Sequence, residues 1–185
     1  MNPWHDIKRE RITKDHFWAM IEISKGSKNK YELDKETGRL KLDRVLFTST
    51  HYPQNYGFIP LTYSRDFDPL DVLVLCSESI LPMAFVECRP IGVLSMTDSG
   101  LVDDKIIAVA VSDPFYKDYN DITDIPEHIM LEIKHFFQVY KSLEGKDTAV
   151  DEVSNKEVAM QIIEESLDAY NLKILPQLIE NRKYR

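Results

Sequence analysis

The chain has 185 residues, of which 43% are hydrophobic and 29% charged. These proportions are those of a globular protein and exclude a disordered or collagen-like chain, and the length fits a single domain over residues 1–185. Asp and Glu number 31 against 23 Lys and Arg, which gives a formal net charge of −8. Because non-specific binding to nucleic acid and to anionic membranes depends on basic patches, this charge argues against both partners.

The composition along the chain also argues against export and against a membrane. No run reaches the roughly 18 apolar residues that a membrane span needs. Residues 1–15 carry both signs of charge, unlike a signal peptide. Cys76 and Cys88 stand in apolar, strand-like segments without CxxC spacing, which favours reduced core thiols over a disulfide. We therefore expect a cytoplasmic protein.

The first strand patterns predict an apolar strand followed by a hairpin. Residues 17–24 are apolar apart from one acid, Glu22. Residues 29–34 and 40–46 alternate polar and apolar side chains on either side of a turn. Gly38 stands in that turn at a position where a positive φ is expected.

Three further apolar runs rich in β-branched residues predict buried strands at 71–75, 85–96 and 106–111. The intervening segments read as loops because they are punctuated by proline and glycine, at Pro53, Gly57, Pro60, Pro69, Pro82 and Gly100.

The pattern changes to a helical period near residue 122. From Pro126 onward, apolar residues recur at steps of three and four, at Ile129, Ile133, Phe136, Phe137 and Tyr140. A second helix is expected to open at Ser154, with Glu157 at capping-box spacing, and Pro176 is expected to end or kink it. Strands followed by helices predict a mainly β, α+β fold in which C-terminal helices pack on a small β-barrel.

The densest chemical pattern places Asp66, Asp68 and Asp71 at the mouth of a buried strand. When carboxylates lie this close together, they repel one another and lose solvation. Hard divalent cations, which prefer oxygen ligands, relieve both costs. The alternative is a solvated acidic loop. An EF-hand is excluded, because Asp71 stands where that loop requires glycine.

Further charged residues are placed where apolar ones are expected. Asp98, Asp103 and Asp104 precede Lys105 and a strand, a pattern that a polar hairpin loop also explains. Glu22 shares the strand phase of Trp18 and Met20, so it is either functional or a satisfied buried acid.

Basic and tyrosine side chains add the groups that recognise phosphate. Arg44 shares the strand phase of Leu42, Lys30 lies on the partner strand, and Tyr140 and Lys141 close the first helical stripe. Each alone reads as a solvated side chain; together with the acids they describe a cavity for metal ions and a polyanion. No GxxxxGK[ST] loop, HExxH motif or zinc-spaced Cys/His set is present.

The stretch 66–72, DFDPLDV, resembles the signature of the soluble inorganic pyrophosphatases. Further blocks follow in that family's order: 30–34 (KYELD), 43–44 (DR), 52–57 (YPQNYG), 96–98 (MTD) and 136–141 (FFQVYK). The resemblance implies an OB-like five-stranded β-barrel packed by α-helices. It also implies hydrolysis of inorganic pyrophosphate to two phosphates by direct attack of a metal-activated water. The enzyme would be a homo-oligomer, a hexamer in many prokaryotic members.

The same resemblance implies a role for each site residue. Asp68 would be the general base. Several Mg²⁺ ions, with Mn²⁺ as a substitute, would be held by Asp66, Asp71, Asp98, Asp103 and Glu22. Pyrophosphate and phosphate would be bound by Lys30, Arg44, Tyr56, Lys105, Tyr140 and Lys141. Glu32 and Tyr52 would support the pocket.

One residue departs from the family pattern. Phe67 stands between the first two acids, where the family usually has Gly, Asn, Asp or Ser. Those residues adopt a positive φ more readily than Phe does. Either the backbone of this loop is ordinary or Phe67 is strained.

Three other functions are compatible with parts of the pattern. A hydrolase of polyphosphate or nucleotides would use the same metals and cations. An OB-like barrel also serves as a single-strand nucleic-acid-binding module, which the net charge opposes. A Ca²⁺-binding structural domain would bind metal without turnover.

Overall fold

The computed structural model describes residues 2–146 and 148–183. Their strands are β1 (Phe17–Ile23), β2 (Asn29–Asp34), β3 (Arg39–Val45), β4 (Asn55–Phe58), β5 (Asp71–Leu75), β6 (Phe85–Asp98), β7 (Leu101–Val102), β8 (Lys105–Ala110) and β9 (Thr148–Asn155). Their α-helices are α1 (Glu127–Val139), α2 (Lys156–Lys173) and α3 (Leu175–Lys183).

Five of the strands form a closed barrel. They pair in the order β1–β4–β5–β8–β6, and β6 pairs again with β1 to close the ring. All of these pairs are antiparallel except β5 with β8. The long strand β6 continues beyond the ring and pairs there with β7 and β9. The prediction of an OB-like five-stranded barrel packed by helices is therefore confirmed.

The two faces of β5 are covered by different parts of the core. Leu73 and Leu75 lie in the cluster that contains the apolar stripe of α1, including Ile133. Val72 and Val74 lie in the cluster that contains Ala159 and Ile163 of α2. Because both faces are buried, the strand is a continuous apolar run rather than an alternating one.

The β2–β3 hairpin forms a separate two-stranded sheet. Gly38 in its turn has a φ of +68°, as the sequence predicts. Lys30 and Arg44 are register partners in this hairpin, so their two cationic side chains lie side by side on one face. Leu33 packs its side chain into a cluster with Trp4 and Phe58, which fixes the hairpin against the barrel.

Several sequence predictions are wrong in detail. Residues 55–58 are a strand rather than a loop, and β7 and β9 were not predicted. The second helix does not open at Ser154, because Ser154 pairs with Val93 in β9. The N-cap is Asn155, whose side-chain oxygen accepts a hydrogen bond from the Val158 amide at 3.2 Å.

The predicted break near Pro176 is confirmed. The break near Pro176 falls between α2 and α3. Cys76 and Cys88 are both free thiols. None of the described helices is long and apolar enough to cross a membrane.

Strand β4 depends on the absence of a side chain at Gly57. A Cβ there would lie 1.8 Å from the Met20 carbonyl oxygen of β1. Gly57→Ala must therefore push two barrel strands apart, and we expect a loss of about 3 kcal/mol of unfolding free energy, or about 6–12 °C in Tm. Gly100→Ala is the control: its φ is +83° but no atom lies within 4 Å, so only the backbone strain of about 1 kcal/mol remains. Equal losses measured by thermal unfolding would contradict this account of β4.

Candidate active site

One cleft of about 710 Å³ lies between the end of the barrel, the β2–β3 hairpin and the C-terminal end of α1. Every site residue singled out from the sequence lines it: Glu22, Lys30, Glu32, Arg44, Tyr52, Tyr56, Asp66, Asp68, Asp71, Asp98, Asp103, Lys105, Tyr140 and Lys141. The structure thus brings together residues that are up to 119 positions apart in the chain, from Glu22 to Lys141.

Three carboxylates converge at one end of the cleft. Asp66, Asp71 and Asp103 each offer an oxygen, and these three oxygens lie within 4.8 Å of one another. Asp71 opens β5, and Asp103 lies two residues before the start of β8. Because β5 and β8 are parallel and in register from Asp71 and Lys105, the two strand starts lie at the same edge of the barrel.

A single buried lysine lies among these acids. Lys105 Nζ donates to Asp71 Oδ2 at 2.7 Å, to Asp103 Oδ1 at 2.6 Å and to the Tyr56 hydroxyl at 3.2 Å. The Tyr56 hydroxyl in turn donates to Asp71. Burial alone would lower the pKa of Lys105, but the two carboxylates raise it well above its ordinary value, so the lysine is charged.

One lysine does not neutralise three carboxylates. Burial, followed by the charges of Asp71 and Asp103, raises the pKa of Asp66 to about 7. Burial also raises the pKa of Asp103, against the attraction of Lys105. Three closely spaced carboxylate oxygens short of positive charge fit a hard divalent cation, which prefers oxygen ligands.

Glu22 lies in the same cleft but outside this group of three. Its side chain is buried, and Glu22 Oε1 accepts a hydrogen bond from the Leu33 amide at 2.6 Å. Burial and the charge of Asp71 raise the pKa of Glu22 to about 8, although that hydrogen bond opposes the shift. Glu22 is therefore a buried acid facing other acids, not one neutralised by a partner.

Asp98 is neutralised by a different cation. It forms an ion pair with Lys141, which follows the C-terminal end of α1. Burial would raise the pKa of Asp98, but the hydrogen bond and charge of Lys141 hold it below its ordinary value. Asp98 is thus at the cleft but is not among the three converging acids.

Two basic groups of the β2–β3 hairpin line the same cleft. Arg44 Nη1 donates to Asp43 at 2.5 Å and Arg44 Nε donates to Glu144 at 2.8 Å. Arg44 Nη2 is buried and has no hydrogen-bond partner among the described residues. Lys30 forms an ion pair with Glu32 and lies 3.5 Å from Asp43.

Three tyrosines form a buried aromatic group at the cleft: Tyr52, Tyr56 and Tyr140. The Tyr52 ring lies 5.3 Å from that of Tyr56 and 4.7 Å from that of Phe136 in α1. The Tyr140 ring lies 5.2 Å from that of Phe136. Burial raises the pKa of Tyr140, so its hydroxyl stays protonated and can donate a hydrogen bond.

Asp68 differs from the three converging acids in its exposure. Half of its side chain is exposed, and Lys35 from the hairpin turn contacts it. The side chain therefore has access to water at the cleft, although its Oδ1 atom is buried beside Lys35.

Comparison with known proteins identifies the family. The family model described as inorganic pyrophosphatase matches residues 19–171. A soluble inorganic pyrophosphatase of Solanum tuberosum is 50% identical over 177 residues, which are 96% of this chain and 84% of the relative. The solved inorganic pyrophosphatase of Helicobacter pylori is 41% identical, with a TM-score of 0.86 over 90% of this chain and 99% of that one. The corresponding structure from Thermus thermophilus is 40% identical, with a TM-score of 0.82 over 85% and 92%.

The chain belongs to the inorganic pyrophosphatase family. It is accordingly an enzyme that hydrolyses inorganic pyrophosphate, and the resemblance inferred from its motifs is confirmed. In this pyrophosphatase Asp66, Asp71 and Asp103 form an acidic cluster that is consistent with metal binding.

Sequence reasoning missed two residues that contact the predicted ones. Lys35 contacts Asp68, but its sequence context is that of a solvated turn residue. The only signal that it lies near the cleft is its position directly after residues 30–34. Glu144, which binds Arg44, stands 100 positions away from it in a segment without a motif. No signal in the sequence links that pair.

The structure decides between the two alternatives for Phe67. Its φ is +70°, and its side chain is largely exposed. Phe67→Gly should therefore raise the unfolding free energy by about 1 kcal/mol and leave hydrolysis within about tenfold. Phe67→Ala is the matched control, because it removes the ring but keeps a Cβ at positive φ. If thermal melts show that Gly is no more stable than Ala, the strain is absent.

The buried acids predict a pH effect in the metal-free protein. Asp66 and Glu22 have pKa values of about 7 and about 8 in the fold, against about 4 in an unfolded chain. Between those limits only the folded state holds these protons, so stability falls as pH rises. In EDTA we expect Tm to fall from about pH 5 to about pH 8, and to fall less in Asp66→Asn. Parallel curves for the two proteins would contradict the assignment of Asp66.

Proposed function

We propose that this cleft hydrolyses pyrophosphate to two phosphates by direct attack of water, with Asp68 as the general base. The observation that carries the proposal is that one cleft contains both three converging carboxylates and the paired cations Lys30 and Arg44. A pyrophosphate between them meets metal ligands on one side and anion-binding groups on the other.

Asp66, Asp71 and Asp103 would hold the resident Mg²⁺ ions, with Mn²⁺ as a substitute. Asp98 and Glu22 would hold further ions of the same kind. When bound, these cations supply an acidified water and positive charge on the phosphoryl oxygens. Lys105 keeps the three-acid group from carrying its full negative charge, because it hydrogen-bonds to two of its members.

The phosphate-binding side divides between the two halves of the substrate. Lys30 and Tyr56 would bind the attacked phosphate. Arg44, Tyr140 and Lys141 would bind the leaving phosphate, where negative charge develops in the transition state. Glu32 holds Lys30 by an ion pair, and Tyr52 supports the Tyr56 ring.

Asp68 is suited to accept the proton of the attacking water. It is a neighbour of Asp66 in the chain but is not one of the three converging acids, so its oxygens are not committed to that group. Half of its side chain is exposed, and it lines the cleft. A carboxylate in that position can take a proton without giving up a metal ligand.

The broader setting of the enzyme is also a proposal. We propose that the chain is one domain, because helices α1 and α2 cover opposite faces of the same barrel strands. Family membership and the two free thiols support a cytoplasmic homo-oligomer, with a hexamer as the expected form.

Phosphate release from pyrophosphate tests the function directly. We expect release with Mg²⁺, none with EDTA, and much slower release from polyphosphate and from ATP at equal concentration. Faster release from either of these would make the enzyme a general phosphoanhydride hydrolase. Metal binding without any phosphate release would leave a Ca²⁺- or Mg²⁺-binding domain instead.

Two aspartate variants separate the base from the metal ligands. Asp68→Asn should lower kcat by about 10²–10⁴-fold and keep the rise in Tm of several degrees that millimolar Mg²⁺ causes, since no primary ligand is lost. Asp71→Asn should lose activity and most of that Mg²⁺-specific rise as well. NaCl at equal ionic strength controls for screening. Full activity of Asp68→Asn would remove Asp68 from the mechanism.

A further inference from the structure

Two carboxylates hold the guanidinium of Arg44. Asp43 accepts from Nη1 at 2.5 Å, and Glu144 accepts from Nε at 2.8 Å. The third nitrogen, Nη2, is buried and has no partner among the described residues. A planar group fixed at two of its nitrogens has little freedom to turn, so the direction of the third is set.

Glu144 comes from a different part of the fold than Arg44. It ends the short 3-10 helix Ser142–Glu144, which follows Tyr140 and Lys141 along the chain. Its side chain is only 6% exposed. Among the described residues that line the cleft, Arg44 is included and Glu144 is not. Glu144 therefore reaches the substrate region only through Arg44.

We propose that Glu144 is a positioning residue for the leaving phosphate, acting by fixing the guanidinium plane of Arg44. The proposal rests on the role given to Arg44 in the proposed function. One short segment then supplies two direct contacts to the leaving phosphate, from Tyr140 and Lys141. The same segment supplies Glu144, which orients the third contact, Arg44.

A buried carboxylate beside a phosphate site needs such an explanation. Its negative charge opposes the binding of a polyanion, and without a partner its burial is unfavourable. The charge-assisted bond to Arg44 Nε offsets both effects, and it orients the arginine before substrate arrives. A purely structural alternative is that Glu144 only ties the β2–β3 hairpin to the segment after α1.

A double-mutant cycle on pyrophosphate hydrolysis tests whether Glu144 acts through Arg44, and the split of the loss between kcat and KM, together with Tm, separates positioning from a purely structural tie. At saturating Mg²⁺ we expect Glu144→Ala to lower kcat/KM about tenfold, mainly through kcat, because charge on the leaving phosphate develops in the transition state. Glu144→Gln keeps an acceptor oxygen, so it should lower kcat/KM only about threefold. In an Arg44→Ala background, Glu144→Ala should cause no further loss.

The controls separate positioning from folding. Glu127→Gln removes a charge from the exposed first turn of α1, away from the cleft, and should leave kcat/KM unchanged. Thermal unfolding is measured for every variant, and Glu144→Gln carries the test if Glu144→Ala does not fold.

Each result has one meaning. The proposal is supported if Glu144→Gln or Glu144→Ala lowers kcat/KM in the wild-type background but not in the Arg44→Ala background. The same loss in both backgrounds, or full activity of a folded Glu144→Ala, overturns it while leaving the role of Arg44 intact. Full activity of Arg44→Ala overturns the proposed function of Arg44, and the positioning role with it.

Discussion

The active site depends on Lys105, a buried cation between two acids at the starts of parallel strands. Its hydrogen bonds to Asp71 and Asp103 let two carboxylates approach each other at the edge of a barrel whose core is mostly apolar. Without that charge, the repulsion between them would oppose the pairing of β5 with β8, the one parallel pair of the closed barrel. With it, the two strands bring Asp71 and Asp103 together, and Asp66 completes the acidic cluster from the preceding loop.

Much of this arrangement is readable from the sequence. Three sets of charged residues contradict the local pattern around them, and all of them line the cleft. They are the acids before β5, the glutamate at an apolar position of β1, and the cations Lys30 and Arg44 of the hairpin. Residues that contradict a local pattern are informative, because burying charge is unfavourable and needs a compensating function. The order of several such blocks along the chain made the family recognisable.

The parts that the sequence did not predict depend on long-range contacts. Strand β4 has four residues with glycine among them, so its propensity is weak; it forms because β1 and β5 pair with it on either side. Ser154 has the spacing of an N-cap but is taken by the ladder with β6, which shifts the start of α2 to Lys156. The Arg44–Glu144 bond joins residues 100 positions apart, which no local pattern can indicate.

The separation of the hairpin from the barrel has a mechanical consequence. The three converging acids belong to the barrel and its loops, whereas Lys30 and Arg44 belong to the β2–β3 sheet, which no strand ladder among the described residues joins to the barrel. The distance between the two charged sides is thus set by side-chain contacts, such as Leu33 against Phe58, and not by backbone pairing. A displacement of the hairpin relative to the barrel would therefore break side-chain contacts and the Leu33–Glu22 hydrogen bond, but no hydrogen bond between the barrel strands.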